Sequence, residues 1–143
     1  MIRSKKFVIL GVLFILLISY FCFTSTAIQP TLKGFYQSEM ISEVGNAEAM
    51  IIQISIFEDG KFKEYITNRL VNQGTVRKMN DFLYHFDGDE ADFDIILKND
   101  NSFQIEMSRL NNGNPIELEN VNRNPCTFGA QWDDVEEYKT YLK

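Results

Sequence analysis

Apolar residues recur at every second position through most of this chain, and that period commits it to half-buried strands. Met50, Ile52, Ile54 and Ile56 alternate with Ile51, Gln53, Ser55 and Phe57, and Phe93, Ile95 and Leu97 with Asp94, Ile96 and Lys98. Phe103, Ile105 and Met107 repeat the pattern around Gln104 and Glu106, as do Ile116 and Leu118 around Glu117. Successive side chains of a strand point to opposite faces, so each segment buries one face and wets the other, which is the habit of antiparallel sheets.

Turn chemistry separates the strands. "ISIFEDGKF" at 54–62 and "IILKNDNSF" at 95–103 each run from alternating apolar residues through Asp59-Gly60 or Asp100-Asn101 to a Phe. These dipeptides accept the left-handed backbone of a tight turn, so each segment predicts a hairpin. "GFYQSEM" from Gly34 predicts an opening strand, and "GTVRKM" with "DFLYHF" predicts a hairpin around Asn80 and Asp81. "RLNNGNP" and "NVNRNP" are Asn-rich turns of the kind found at barrel rims. The period then changes: "WDDVEEYKTYLK" spaces Trp132, Val135, Tyr138 and Leu142 at helical intervals, with Asp133 placed to cap a helix over 133–142 and Glu136 three residues on. Such a helix would lay Trp132 and Val135 across an open end of the sheet. The expected fold is mainly β: a small antiparallel meander barrel, or a sandwich, of about seven to eight strands with a short C-terminal helix, preceded by an N-terminal transmembrane or signal helix.

Gly34-Phe35-Tyr36 at the opening, the "EDGKF" hairpin, "GTV" at the start of a strand and "FLYHF" together resemble small extracytoplasmic lipocalin-like β-barrel proteins of bacteria, over about residues 34–120. The resemblance implies a structural barrel or one with a ligand cavity, and it carries no catalytic residues onto this chain.

The first 29 residues are set apart as a targeting segment. "MIRSKK" carries Arg3, Lys5 and Lys6, and the next seventeen residues, 7–23, have no charge. That length stands at the lower limit of a membrane span and above the usual core of a signal peptide. Tyr20, Phe21 and Phe23 suit an interfacial aromatic belt and favour an uncleaved anchor in the lipid bilayer, while Ser25 and Ala27 offer a signal-peptidase site that would release the domain after Ala27. Cys22 is a poor lipid-attachment site, since Tyr20 and Phe21 stand where that motif wants small residues. With the basic residues inside, the domain at 30–143 is placed outside the cell membrane on a single span.

Removing the basic start leaves 11 Lys and Arg against 20 Asp and Glu, a net charge of −9 on the domain. Such a surface repels phosphate backbones, so nucleic acid is excluded as a partner, and a cationic or neutral one fits. The chain's twelve Phe and six Tyr, eight and five of them in the domain, supply apolar area enough for a core without metal or disulfide. Cys126 is alone in the domain and reads as a small buried hydrophobe.

The densest polar feature, "DGDEAD" at 87–92 with Asp94 beyond, falls between two predicted strands. Counted from Asp87, the fifth position of a calcium loop would be Ala91 and the glycine is misplaced, so these carboxylates read as the rim of a turn. His85 has no second histidine and no zinc spacing beside it. No phosphate loop or nucleophile elbow is present, and no cofactor is implied. The expected function is a non-catalytic, membrane-tethered binding domain for an unknown small molecule or protein. Its barrel mouth would be lined by some of Tyr36, Tyr65, Phe82, Tyr84 and Phe93, although these residues read more readily as core. The alternative is an anchored inhibitor or immunity protein that binds a basic protein through its acidic charge. A third reading is an enzyme using Cys126 or His85.

Overall fold

The computed structural model describes residues 30–42 and 49–143. Within them the alternating segments form β1 (Gly34–Ser38), β2 (Ile41–Ser42), β3 (Ala49–Met50), β4 (Ile52–Ile56), β5 (Lys61–Ile66), β6 (Arg69–Lys78), β7 (Leu83–Gly88), β8 (Phe93–Ile96), β9 (Phe103–Ile105) and β10 (Ile116–Asn122). Eight of them make one antiparallel sheet in the order β8-β7-β6-β5-β4-β1-β10-β9, while β2 and β3 pair apart as a short ribbon. The meander returns on itself because β10 pairs with β1, Tyr36 opposite Asn120 and Ser38 opposite Leu118. Strands β8 and β9 are joined by a turn in which the Lys98 amide donates to the Ser102 carbonyl, but no ladder continues between them. The result is a nearly closed eight-strand barrel with one seam unpaired.

The predicted turns form where their chemistry allows. Gly60 has φ +80° in the β4–β5 turn and Asn101 has φ +65° before β9. In the β6–β7 turn the Asn80 side chain accepts from the amides of Phe82 and Leu83. The β5–β6 turn is made by Thr67 and Asn68, both with positive φ. Gly74 is required by proximity: a Cβ there would stand 1.9 Å from the Asp87 carbonyl oxygen on β7.

Inward side chains fill the barrel. Tyr36, Ile54, Phe62, Phe86, Ile95, Phe103 and Leu118 are all fully or almost fully buried and belong to a single apolar cluster. Their rings interlock, Tyr36 with Phe103 at 4.8 Å between centroids and Phe62 with Phe86 at 4.9 Å. Each such side chain contributes about 1.5–3 kcal/mol when withdrawn from water.

The outer face of β1, β4 and β5 is also covered. After β10 the chain crosses it as an extended strap, with the Phe128 ring 5.9 Å from Phe35 and 5.0 Å from Tyr65. Ser55 on β4 binds the Cys126 backbone on both sides, donating to its carbonyl and accepting from its amide. This explains why all five residues of β4 are buried, including the outward Gln53 and Ser55.

The strap leads to a helix, α1 (Val135–Lys139), and a 3-10 turn at Thr140–Leu142. The helix is shorter than the predicted 133–142. Asp134, not Asp133, stands at its N-cap position, and its side chain makes no cap bond there because the carboxylate is taken by Arg69. The residues that close the barrel end are Tyr138 and Tyr141, both buried, whereas Trp132 is 40% exposed and lies over the Arg69 guanidinium at 4.2 Å. Among the described residues no helix is long and apolar enough to cross a membrane. The anchor or signal helix expected at 1–29 lies outside them.

Candidate functional site

The unpaired seam between β8 and β9 opens on a cleft of about 290 Å³. Its floor is Glu64, carried by β5 in "KFKEYI". Parity sets this placement: Phe62 and Ile66 face the interior, so the residue midway between them must do so too. Glu64 is 1% exposed. A bulge on β6 brings its partner opposite. Glu64 pairs with Asn72 and Tyr65 with Leu70, leaving Val71 as the extra residue, and both Val71 and Asn72 are buried.

Asn72 is the hub of the site. Its amide nitrogen donates to Glu64 Oε2 at 3.1 Å and to the Ala91 carbonyl at 2.8 Å, and its amide oxygen accepts from the Glu90 backbone at 3.1 Å. Gly88 makes room for it, since a Cβ there would stand 2.5 Å from Asn72 Oδ1 and 2.3 Å from the Ala91 carbonyl oxygen. Burial pushes the Glu64 carboxyl up to about 7, against the smaller downward pull of the Asn72 bond. No hydrogen bond reaches Oε1 from the described residues.

The rim of the cleft carries Asp92, Asp94 and Glu106, and its walls are Phe93, Ile105, Met107 and Leu142. The acidic loop is therefore a connection between β7 and β8, as its position in the sequence predicts, and it is a held one. Gly88 N donates to Asp92 Oδ1 at 2.9 Å, and Lys139 on α1 lies 2.8 Å from Glu90. His85 points outward and contacts Asp94 across the strands, Nδ1 to Oδ1 at 2.6 Å. Among the described residues no three His, Cys, Asp or Glu side chains converge as a metal site. Cys126 lies in the strap, half-buried, on the opposite side of the sheet from the interior.

The five aromatic residues expected at a barrel mouth do not share one lining. Tyr36 and Tyr84 are buried in the interior, where the Tyr36 hydroxyl donates to Asn101 at 3.3 Å and burial raises its ionisation above the usual phenol value. Tyr65 is on the outer face beneath Phe128. Phe82 is 39% exposed in the β6–β7 turn. Phe93 alone reaches the cleft, stacked on Phe86 at 4.6 Å. The sequence reading missed Glu64 and Asn72, although the parity of "FKEYI" carries the signal for the first.

A larger groove of about 650 Å³ runs along 37–41 and 115–121; its Glu39 and Glu119 are exposed, and its half-buried Glu117 is already satisfied by Lys98, Ser102 and Gln104. At the β8–β9 cleft the fold holds a carboxyl, Glu64, away from water at the base of an opening. Compared with protein-family models, with curated proteins and with solved structures, the chain matches none.

Proposed function

We propose that this chain is a membrane-tethered, extracytoplasmic barrel of lipocalin-like design that binds a ligand or partner without catalysis, and that it binds at the β8–β9 cleft. The tether rests on the basic start and the seventeen uncharged residues at 7–23. The lipocalin-like reading rests on the eight-strand meander closed by β1 and β10. One observation carries the binding reading: Glu64 is 1% exposed, yet it lines a cleft that opens through the seam, while the rest of the interior is filled by side chains. A buried acid costs stability unless it is paired, so its retention beside a filled core points to use.

The test is to isolate the full-length protein from its native membranes under gentle conditions and record its intact mass with whatever remains bound. A retained small molecule or a stoichiometric protein supports the reading. A bare chain, with no mass gained on incubation with membrane extract, removes it.

A second reading is favoured by the acidic loop. Asp87, Asp89, Glu90, Asp92 and Asp94 are exposed, and the loop is fixed at both Asn72 and Lys139, so its charge is presented in a preformed shape. An anchored inhibitor that captures a basic protein would use such a surface. It predicts salt-sensitive capture of one protein, lost when Asp87 and Asp89 are changed to Asn. Capture that is insensitive to both changes assigns the charge to solubility.

A further inference from the structure

The lining of the cleft is acid and hydrocarbon with one amide, Gln104, and no cation. Four of its ten lining residues are carboxylates, Glu64 on the floor and Asp92, Asp94 and Glu106 at the rim, and none is Lys, Arg or His. Of the nearby basic groups, Lys139 pairs with Glu90 and Glu136, Arg69 with Asp134, and His85 lies outside the cleft against the rim acid Asp94, so none of them reaches Glu64. When Glu64 is ionised, the lining of the cleft offers it no countercharge, and a cation from outside would supply one. The walls restrict what can bring it. Phe93, Ile105, Met107 and Leu142 offer an apolar lining to a stem, and Glu64 is the buried carboxylate among them. A hard metal ion needs several converging oxygens, which the described residues do not supply.

We propose that the β8–β9 cleft is a binding site for a primary ammonium group on an unbranched apolar stem, with the ammonium paired to Glu64. The inference rests on the binding reading above and names its ligand class. Two sources carry this chemistry, a free alkylamine and the side chain of a lysine on a partner protein. Glu64 supplies Oε1 to the ammonium while Asn72 keeps its bond to Oε2, so the acid is oriented before the ligand arrives. Gly88 and the fixed loop hold Asn72 in that position. The rim carboxylates draw the cation in but are exposed, and they contribute attraction more than affinity.

The test uses full-length protein in neutral detergent, titrated calorimetrically with n-pentylamine, with n-pentanol as the uncharged control and a short glycine peptide bearing one central lysine as the second source. The wild type is expected to bind pentylamine and not pentanol, and Glu64→Gln to weaken binding at least about tenfold. Glu64→Gln keeps the size of the side chain and an oxygen for Asn72, and its fold is checked by its far-ultraviolet circular dichroism. Glu58→Gln, exposed in the β4–β5 turn and outside the cleft, is expected to bind as the wild type does. Binding of pentylamine alone assigns the site to free amines, and binding of the lysine peptide assigns it to a protein partner. Equal binding by wild type and Glu64→Gln, or no binding of either probe by the wild type, overturns the proposal. A retained molecule without an amino group in the native mass measurement, together with no pentylamine binding, overturns this ligand class and leaves the binding reading standing. A bare native chain that also binds neither probe overturns both.

Discussion

One side chain, Asn72, ties the buried acid to the acidic loop: its amide nitrogen lies 3.1 Å from Glu64 Oε2 and 2.8 Å from the Ala91 carbonyl oxygen. Asn72→Ala removes the only side-chain donor to Glu64 among the described residues and releases the loop at both Ala91 and the Glu90 amide. The expected cost is about 1–3 kcal/mol, the range for leaving buried polar groups unsatisfied. Chemical denaturation measures it, and faster hydrogen exchange at the Glu90 amide localises it. An unchanged exchange rate at Glu90 would count against Asn72 as the hub.

Glu64 gives the fold an unusual response to pH. Its carboxyl sits at about 7 in the folded protein against an ordinary 4.5. Between those values the folded chain holds a proton that the unfolded chain has lost, so stability falls as pH rises through that window. Below it the penalty is absent, and above about 7 it is complete at roughly 3 kcal/mol. Asp134 and Glu117 are held below their ordinary values, Asp134 chiefly by its bond to Arg69 and Glu117 by bonds from Lys98, Ser102 and Gln104 that outweigh its desolvation, so their contributions disappear only in stronger acid. Denaturation midpoints measured from pH 4.5 to 8 should fall for the wild type and stay nearly level for Glu64→Gln. A level wild-type profile would mean that the acid is wetter than its 1% exposure implies.

The closing helix depends on Arg69. Its side chain is 13% exposed, it forks onto both Asp134 oxygens at 2.9 and 2.7 Å, and it lies between the rings of Trp132 and Tyr138 at 4.2 and 4.3 Å. Arg69→Ala removes the fork and the filling between two rings, with an expected loss of about 1–3 kcal/mol. Trp132 fluorescence should shift to the red in the native state as its ring becomes wetter. Arg69→Lys restores the charge but not the flat fork, and should recover only part of the loss.

Ser55 fastens the strap. Replacing it by Ala removes both bonds to the Cys126 backbone. The Cys126 thiol, half-buried in the wild type, should then react faster with a thiol reagent, and Phe128→Ala should accelerate it further by uncovering Tyr65. Labelling at an unchanged rate in both variants would show that the strap opens without these contacts.

Much of the barrel is legible in the sequence because turn residues and alternation act locally. Gly60 and Asn101 take the left-handed backbone their types favour, and Asn80 ties its own turn. Thr67 is the exception: a β-branched residue at φ +48° gives no turn signal, so β5 and β6 do not separate on reading. The strap at 123–134 has no period at all, because its residues answer to the outer faces of β1, β4 and β5 and not to one another. For the same reason Tyr65 reads as a ligand contact, although its phenol packs under Phe128 and its ionisation is raised by burial. Glu64 escapes because charged residues in "KFKEYI" read as the wet face; Lys61 is exposed, and only parity separates it from the acid. The cleft itself is invisible in the sequence, since nothing local says that β8 and β9 fail to pair.

Tyr36 lies opposite Asn120, and the strap beyond arrives later still. A chain delivered from its amino end therefore presents β1 with one neighbour, β4, until Asn122 has emerged, and leaves the second face of β4 bare until Phe128 follows. Closure of such a ring is a long-range event that no early fragment can rehearse. The half-made sheet meanwhile exposes the row Ile52, Ile54 and Ile56, a sticky ribbon with a free edge. Premature release of the nascent polypeptide near residue 110 should thus yield aggregate in place of a smaller soluble barrel, and a holding chaperone should be needed most during that interval.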